Sequence, residues 1–151
     1  MKGAIMVISL FLNAGNERAA IDVVASTLFR EAAGEGVEGK KAVASVIWAR
    51  TQRNPQNILT VVRARKQFAG WDQRRLTIPD DYPSMNAWRM CQHIATQMVR
   101  GEFVPTLDAW YFHDARLQKP PADWGTVEFV EEIGKLKFYR QKNLLTPSHG
   151  L

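Results

Sequence analysis

Glu31 stands where a run of helix-periodic residues meets a run of glycines, and a carboxyl group in that position is a candidate proton donor. Apolar residues at Ile21, Val24, Ala25, Leu28 and Ala32 recur with the i, i+3, i+4 spacing of a helix that packs one stripe inward. At about 100° per residue, Glu31 falls beside Val24, at the edge of that stripe. A half-buried carboxyl group is poorly solvated, and desolvation disfavours its charged form, which suits a general acid working near neutral pH. The competing reading is a solvated glutamate in a helix's last turn. Taken alone, a glutamate so placed is more often solvated than catalytic; there a negative charge opposes the macrodipole by ~0.3–1 kcal/mol, which shifts the balance only slightly towards function. Glu35, Glu38, Asp72 and Asp114 are the other carboxylates within reach in sequence terms, and none sits in a context that demands a catalytic role.

The elements that must position Glu31 follow from the glycines. Gly34, Gly36 and Gly39 cannot sustain a helix interior, where each costs ~1 kcal/mol relative to alanine. The first helix should therefore stop with Glu31 in its last turn, and a second should restart near Glu38. In that second helix Ala42, Val43, Val46, Ile47 and Ala49 form a broad apolar face. Ala44 and Trp48 lie on the other side, leaving little polar surface around Lys41, Ser45 and Gln52; the helix is expected to be central and buried. Lys40, Lys41 and Arg50 read as charges scattered around it.

Further along, Asn54-Pro55 marks a turn, and Ile58, Val61 and Val62 suggest a short helix. Arg63, Arg65 and Lys66 then form a basic cluster, read as a solvated face that can steer an anionic polymer. The stretch from Gln67-Phe68 through Trp71 to Pro83 is turn-rich and irregular. Ser84 is a plausible N-cap for a helix to Arg100, with Gly101 as its terminator. Trp88, Cys91, Ile94, Ala95 and Met98 share one face of that helix, and His93 lies opposite, exposed. Beyond Pro105 the period changes. Ala109 to His113 is aromatic in the manner of a strand, residues 114–125 form a loop, and Thr126–Ile133 with Leu136–Arg140 make a β-hairpin around Gly134. Residues 141–151 are expected to fray.

Composition bounds what these elements can do. At 151 residues and 46% hydrophobic content the chain can bury one good core, so residues 1–151 are expected to form a single domain. The single Cys91 excludes an intramolecular disulfide. With three histidines and no His-x-x-x-His spacing, no metal site and no cofactor are expected. Twenty Lys+Arg against fifteen Asp+Glu give +5, which favours polyanionic surroundings without choosing between nucleic acid, cell envelope and membrane surface. The apolar stretch Gly3 to Leu12 is too short for a bilayer, which needs ~20 residues. It makes a meagre secretory segment, and a packed N-terminal segment is expected instead, with Met6 an alternative start.

The run Arg30-Glu31-Ala32-Ala33-Gly34-Glu35-Gly36-Val37-Glu38-Gly39, continuing Ala42-Val43-Ala44-Ser45-Val46-Ile47-Trp48-Ala49-Arg50, resembles the opening motif of the SleB-like cell-wall hydrolases, which include spore-cortex-lytic enzymes and phage endolysins. Val61-Val62 with Gln67-Phe68, Trp110-Tyr111-Phe112-His113, Trp124, and Ile133-Gly134 to Phe138-Tyr139-Arg140 match later landmarks in order. The resemblance spans about residues 21–140. Three positions depart from it: Ala49 and Asp114 where asparagine is usual, and Ala69 where serine is.

What the resemblance implies is an α+β, predominantly helical, lysozyme-like fold of the lytic transglycosylase kind, with a small C-terminal β-hairpin subdomain. Its substrate would be the peptidoglycan glycan strand, cut between N-acetylmuramic acid and N-acetylglucosamine to leave 1,6-anhydro ends, with Glu31 catalytic. Gln67, Phe68, Tyr111, His113, Trp124 and Glu35 would bind substrate. For His113 the alternative is a core histidine hydrogen-bonded to backbone; strand alternation sets Tyr111, and not Phe112, on its face. A monomer acting on the bacterial cell wall, as a phage or prophage endolysin made in the host cytoplasm, is expected, with neither nucleic acid nor stable membrane insertion. A muramidase using water and a second carboxylate is the enzymatic alternative. A DNA-binding helix-turn-helix is the alternative of another class, weakened because a recognition helix must expose several polar residues on one face.

Overall fold

Gly34 and Gly36 divide the helical part of the chain as their cost in a helix interior requires, whereas Gly39, expected to be kept out of a helix, falls in the first turn of the second one, where a Cβ would meet the Glu35 side chain. In the computed structural model, which describes residues 14–64 and 81–142, helix α1 (Ala14–Ala32) ends at the glycine run and α2 (Val37–Arg50) restarts beyond it. Val24, Ala25, Leu28 and Ala32 are buried as the periodicity requires, and Thr27 joins them by donating its hydroxyl to Val23 O at 3.0 Å. Every residue of α2 from Ala42 to Trp48 is buried. The polar strip expected along Lys41, Ser45 and Gln52 is narrower than that. Ser45 is buried and accepts the Thr106 N–H at 2.9 Å, and Gln52 falls beyond the helix end. No side of α2 is left as a polar recognition face for a DNA groove.

Asn54 accepts the Gln56 N–H and opens a 3-10 turn (Pro55–Asn57), which leads into the short α3 (Ile58–Arg63), anchored by buried Ile58 and Val62. Helix α4 (Tyr82–Val99) packs against α1, where Phe29 meets Trp88 edge-on at 5.7 Å. Its N-cap is Asp81 and not Ser84: the Asp81 carboxylate accepts the Ser84 N–H at 2.9 Å, and Pro83 occupies a first-turn position that has no hydrogen bond to lose. Its other end follows expectation. Gly101, at φ +73°, donates to Met98 O and Glu102 donates to Gln97 O, a Schellman closure that favours glycine. His93 is exposed and Cys91 buried, as expected.

Strand β1 (Tyr111–Asp114) starts two residues later than the aromatic run suggests. It pairs antiparallel with β3 (Leu136–Gln141), which pairs on its other side with β2 (Val127–Ile133), giving the order β1-β3-β2. Gly134 alone of the two turn residues has positive φ, as a II′ hairpin turn requires. Gln141, expected in the frayed tail, closes β3 opposite Val127. Alternation splits the sheet. Phe138, Leu136 and Phe112 turn to the helices, while Tyr111, His113 and Tyr139 turn to the other face. The result is a mixed α+β architecture with the hairpin where the sequence indicated it.

Candidate functional site

Glu31 lies half-buried in the last turn of α1. The turn behind it is closed by the Glu35 N–H donating to Ala32 O at 3.0 Å, and α2 opens with Lys40 N–H donating to Gly36 O at 3.1 Å. The last carbonyls of a helix have no partner within it and must find one elsewhere. The Glu35 N–H serves Ala32 O, and Lys40 serves the carbonyls just past the helix end: its side chain is only 3% exposed, and its ammonium donates to Ala33 O at 3.2 Å and to Glu35 O. A cation at that end also matches the helix dipole. Lys40 is therefore an internal brace of the joint and not one of the scattered surface charges expected from its sequence position.

Glu35 reaches away from the joint to the hairpin. Its Oε1 accepts the Lys135 N–H at 3.0 Å, across 100 residues of sequence. The carboxylate lies so close over Gly134 that a Cβ there would come within 1.9 Å of Oε2, and a Cβ on Gly39 would meet Glu35 Cβ at 2.6 Å. Both glycines thus leave room for the close approach of Glu35, and Gly134, at φ +56°, also makes the chain reversal.

Tyr111, His113 and Trp124 are brought together in an aromatic cluster. Tyr111 stacks on Trp124 at 4.7 Å between ring centroids, and His113 lies 5.7 Å from Trp124 and 5.1 Å from Tyr139. Asp114 O can only accept, so His113 Nδ1–H donates to it at 2.6 Å, and Nε2 then accepts the Tyr139 hydroxyl at 3.1 Å. Burial raises the Tyr139 phenol above its ordinary pKa, with Glu132 adding to the shift, so it remains a donor. Both His113 nitrogens are thereby engaged, and the residue has the backbone bond expected of a core histidine while its ring lies against Trp124. Arg50 holds the near edge: its guanidinium sits 5.4 Å from the Tyr111 ring centroid and donates to Trp110 O at 2.8 Å, and burial lowers its pKa. Phe129, 56% exposed, extends the cluster by meeting Tyr139 edge-on. Apolar aromatic faces beside polar ring edges are suited to the C–H faces of sugar rings.

Two open depressions adjoin the hairpin. One, of about 480 Å³, is lined by Asp114, Ala115, Arg116, Gly134 and Lys135; the other, of about 530 Å³, lies between Glu38 and Lys41 of α2 and Glu131 and Ile133 of β2. In the first, Asp114 is held by Arg116 through both carboxylate oxygens, at 2.8 and 3.0 Å to Oδ1 and 2.7 Å to Oδ2. Those bonds depress its pKa to about 2, so it is a fixed anion. Gln67, Phe68 and Asp72 lie outside the described residues. Among the described residues no cluster of side chains could hold a metal ion, and no helix is long and apolar enough to cross a membrane.

Sequence reasoning gave no functional weight to Lys40 or Tyr139. The signal for Tyr139 was its register opposite Tyr111, which puts both rings on one face. For Lys40 the local pattern carried no such signal.

The family model described as Cell Wall Hydrolase matches residues 34–139. The match starts three residues after Glu31 and takes in Glu35, Lys40, the aromatic cluster and the hairpin. Neither a search of curated proteins nor one of solved structures finds a match.

Proposed function

Because the chain belongs to the SleB-like cell-wall hydrolase family, and so to the enzymes that cleave peptidoglycan, we propose that it cuts the glycan strand between N-acetylmuramic acid and N-acetylglucosamine with Glu31 as proton donor. The observation that carries this reading is the setting of Glu31, half-buried in the last turn of α1 where Lys40 brings a cation to the closing carbonyls and Glu35 ties the following turn to the hairpin. A general acid needs such fixity, because proton transfer to the leaving oxygen works only within hydrogen-bond reach.

In the proposed reaction Glu31 gives its proton to the bridging oxygen as the bond from the muramyl C1 breaks. The substrate's N-acetyl oxygen then closes on C1. The muramyl 6-hydroxyl displaces it, forming the 1,6-anhydro ring and returning a proton to the Glu31 carboxylate. Proton, bonds and leaving group balance without water, metal or cofactor. The scheme suits the other carboxylates: Asp114 has both oxygens committed to Arg116, and Glu35 has one committed to the Lys135 amide. Tyr111, His113 and Trp124 would seat a sugar outside the reacting bond, with Gln67 and Phe68 completing the cleft wall. Action as a monomeric endolysin of phage or prophage type is part of the same proposal.

The test is mass spectrometry of the soluble fragments released from purified peptidoglycan by the wild type and by Glu31→Gln. Anhydromuramyl ends from the wild type, absent with Glu31→Gln, are expected. Reducing muramyl ends would instead mean a muramidase with water as nucleophile, and full activity of Glu31→Gln would overturn the assignment of the acid.

A further inference from the structure

Glu35 is gripped on every side that the described residues offer. Its N–H closes the α1–α2 turn on Ala32 O, its C=O accepts the Lys40 ammonium, its Cβ lies against Gly39, and its carboxylate lies over Gly134 and accepts the Lys135 N–H. The bond to Lys135 links this joint to the tip of the β2–β3 hairpin. The joint carries Glu31; the hairpin tip forms one wall of the depression that also holds Asp114 and Arg116.

From this geometry we infer that Glu35 is a positioning residue, a latch between hairpin and helix joint that sets the hairpin wall at a fixed distance from Glu31. The inference rests on the reading of Glu31 as the acid. It replaces the substrate binding that the resemblance implied for Glu35 with a contact to the hairpin, and assigns Glu35 no proton transfer. What the latch needs is an acceptor oxygen of the right reach over a residue without a Cβ. A carboxylate and a primary amide both have that oxygen, whereas alanine does not. An acid–base or nucleophilic role requires the carboxylate itself, so the two roles separate cleanly by substitution. Gly134 is the other half of the device. With Glu35 in place, a Cβ at Gly134 would collide with Oε2; with Glu35 shortened to alanine that collision is gone, and only the positive φ of the position still penalises it.

The experiment compares Glu35→Gln, Glu35→Ala, Gly134→Ala and the double variant with wild type. It follows the initial rate of fragment release over a range of peptidoglycan concentrations and, without substrate, the exchange rate of the Lys135 amide. Displacement of a reacting geometry by about 1 Å can cost ~100-fold, so Glu35→Ala and Gly134→Ala are each expected to lower the limiting rate by roughly ten- to a hundredfold, with the half-saturating concentration little changed. The double variant should be no slower than about the slower single one, because both remove the same contact. Glu35→Gln should stay within about threefold of wild type, since it keeps the acceptor. Lys135 amide exchange should be fast in Glu35→Ala and near wild type in Glu35→Gln. A folded Glu35→Gln as inactive as Glu35→Ala would overturn the inference and make Glu35 a participant in the chemistry. Glu35→Ala with wild-type rate would overturn it too, as would unchanged Lys135 exchange. A wild-type protein that releases no fragments would fail the parent reading and with it the catalytic purpose of the latch, while the exchange measurement would still decide whether the contact exists.

Discussion

Lys40→Met tests whether the joint behind Glu31 is held by a buried cation. Methionine has nearly the length of the lysine stem, so the substitution removes the ammonium without opening a large cavity. Lost are two hydrogen bonds from a charged donor, to Ala33 O and Glu35 O, each worth ~1.5–3 kcal/mol, and a favourable dipole interaction of ~0.3–1 kcal/mol. Gained is relief from holding an ammonium out of water, several kcal/mol on the usual scale. Two facts decide the sign. The charge itself is removed, so no uncompensated ion remains, and Ala33 and Glu35 are only half-buried, so water partly replaces the lost donor. The net destabilisation should be about 1–3 kcal/mol, the balance of those bonds and the relieved desolvation. In a domain of this size that is a fall in Tm of roughly 2–12 °C, read by circular dichroism at neutral pH. Glycan cleavage should fall as well, because the turn carrying Glu31 loosens. A Lys40→Met protein as stable as wild type, or more so, would refute the reasoning, for desolvation would then outweigh the bonds and the joint would not depend on its cation.

Asp114→Asn should preserve cleavage, since an amide oxygen can still accept from Arg116 and the proposed scheme asks nothing of a second carboxylate; loss of activity with an intact fold would favour the muramidase reading. The same variant carries a pH signature. The folded pKa of Asp114 is held at about 2 by Arg116, below the ordinary ~3.9, so its stabilising effect is present above pH ~4 and is lost as pH falls towards 2. The Tm difference between wild type and Asp114→Asn should therefore close over that window and be small throughout, the pair being exposed to solvent and salt; a difference that widens below pH 4 would contradict it. Cys91 is fully buried and its thiol is pushed up to about 11 by desolvation, so a thiol reagent at pH 8 should label it only as the protein unfolds. Rapid labelling of the native protein would mean that α4 does not sit on the core as described.

The parts of this fold that were legible in the sequence are those decided by short-range rules. Periodicity set the inward stripe of α1, the cost of glycine ended that helix just past Glu31, and the change to period two announced the sheet with its turn at Gly134. Alternation also sorted Tyr111 from Phe112 correctly. Where two local rules competed, reading failed. Ser84 and Asp81 are both good N-caps, and the choice fell to Asp81 because Pro83 can occupy the first turn without costing a bond. Where the deciding contact is long-range, nothing local could show it. No pattern pairs Glu35 with an amide 100 residues away, and Lys40, though its carbonyl partners are only five and seven residues back, looks like a surface lysine until the irregular joint folds them over it.

Such long-range ties bear on how the proposed acid, Glu31, and the aromatic cluster are kept in register. Both ends of α2 are fastened to the sheet. At its start the joint is tied to the hairpin through Glu35 and Lys135; at its finish Arg50 grips Trp110 and overlies Tyr111. The helix between is buried from Ala42 to Trp48, and its 14 residues span about 21 Å. A helix enclosed by close-packed side chains transmits position with little give, so α2 acts as a spacer whose length separates the Tyr111 end of the cluster from the joint that holds Glu31. On the proposed reaction a polymer would suit that arrangement, because one sugar would be held at the aromatic end while a bond further along the strand is presented to Glu31. On that proposal, binding energy from a remote sugar would help to hold the reacting bond in place.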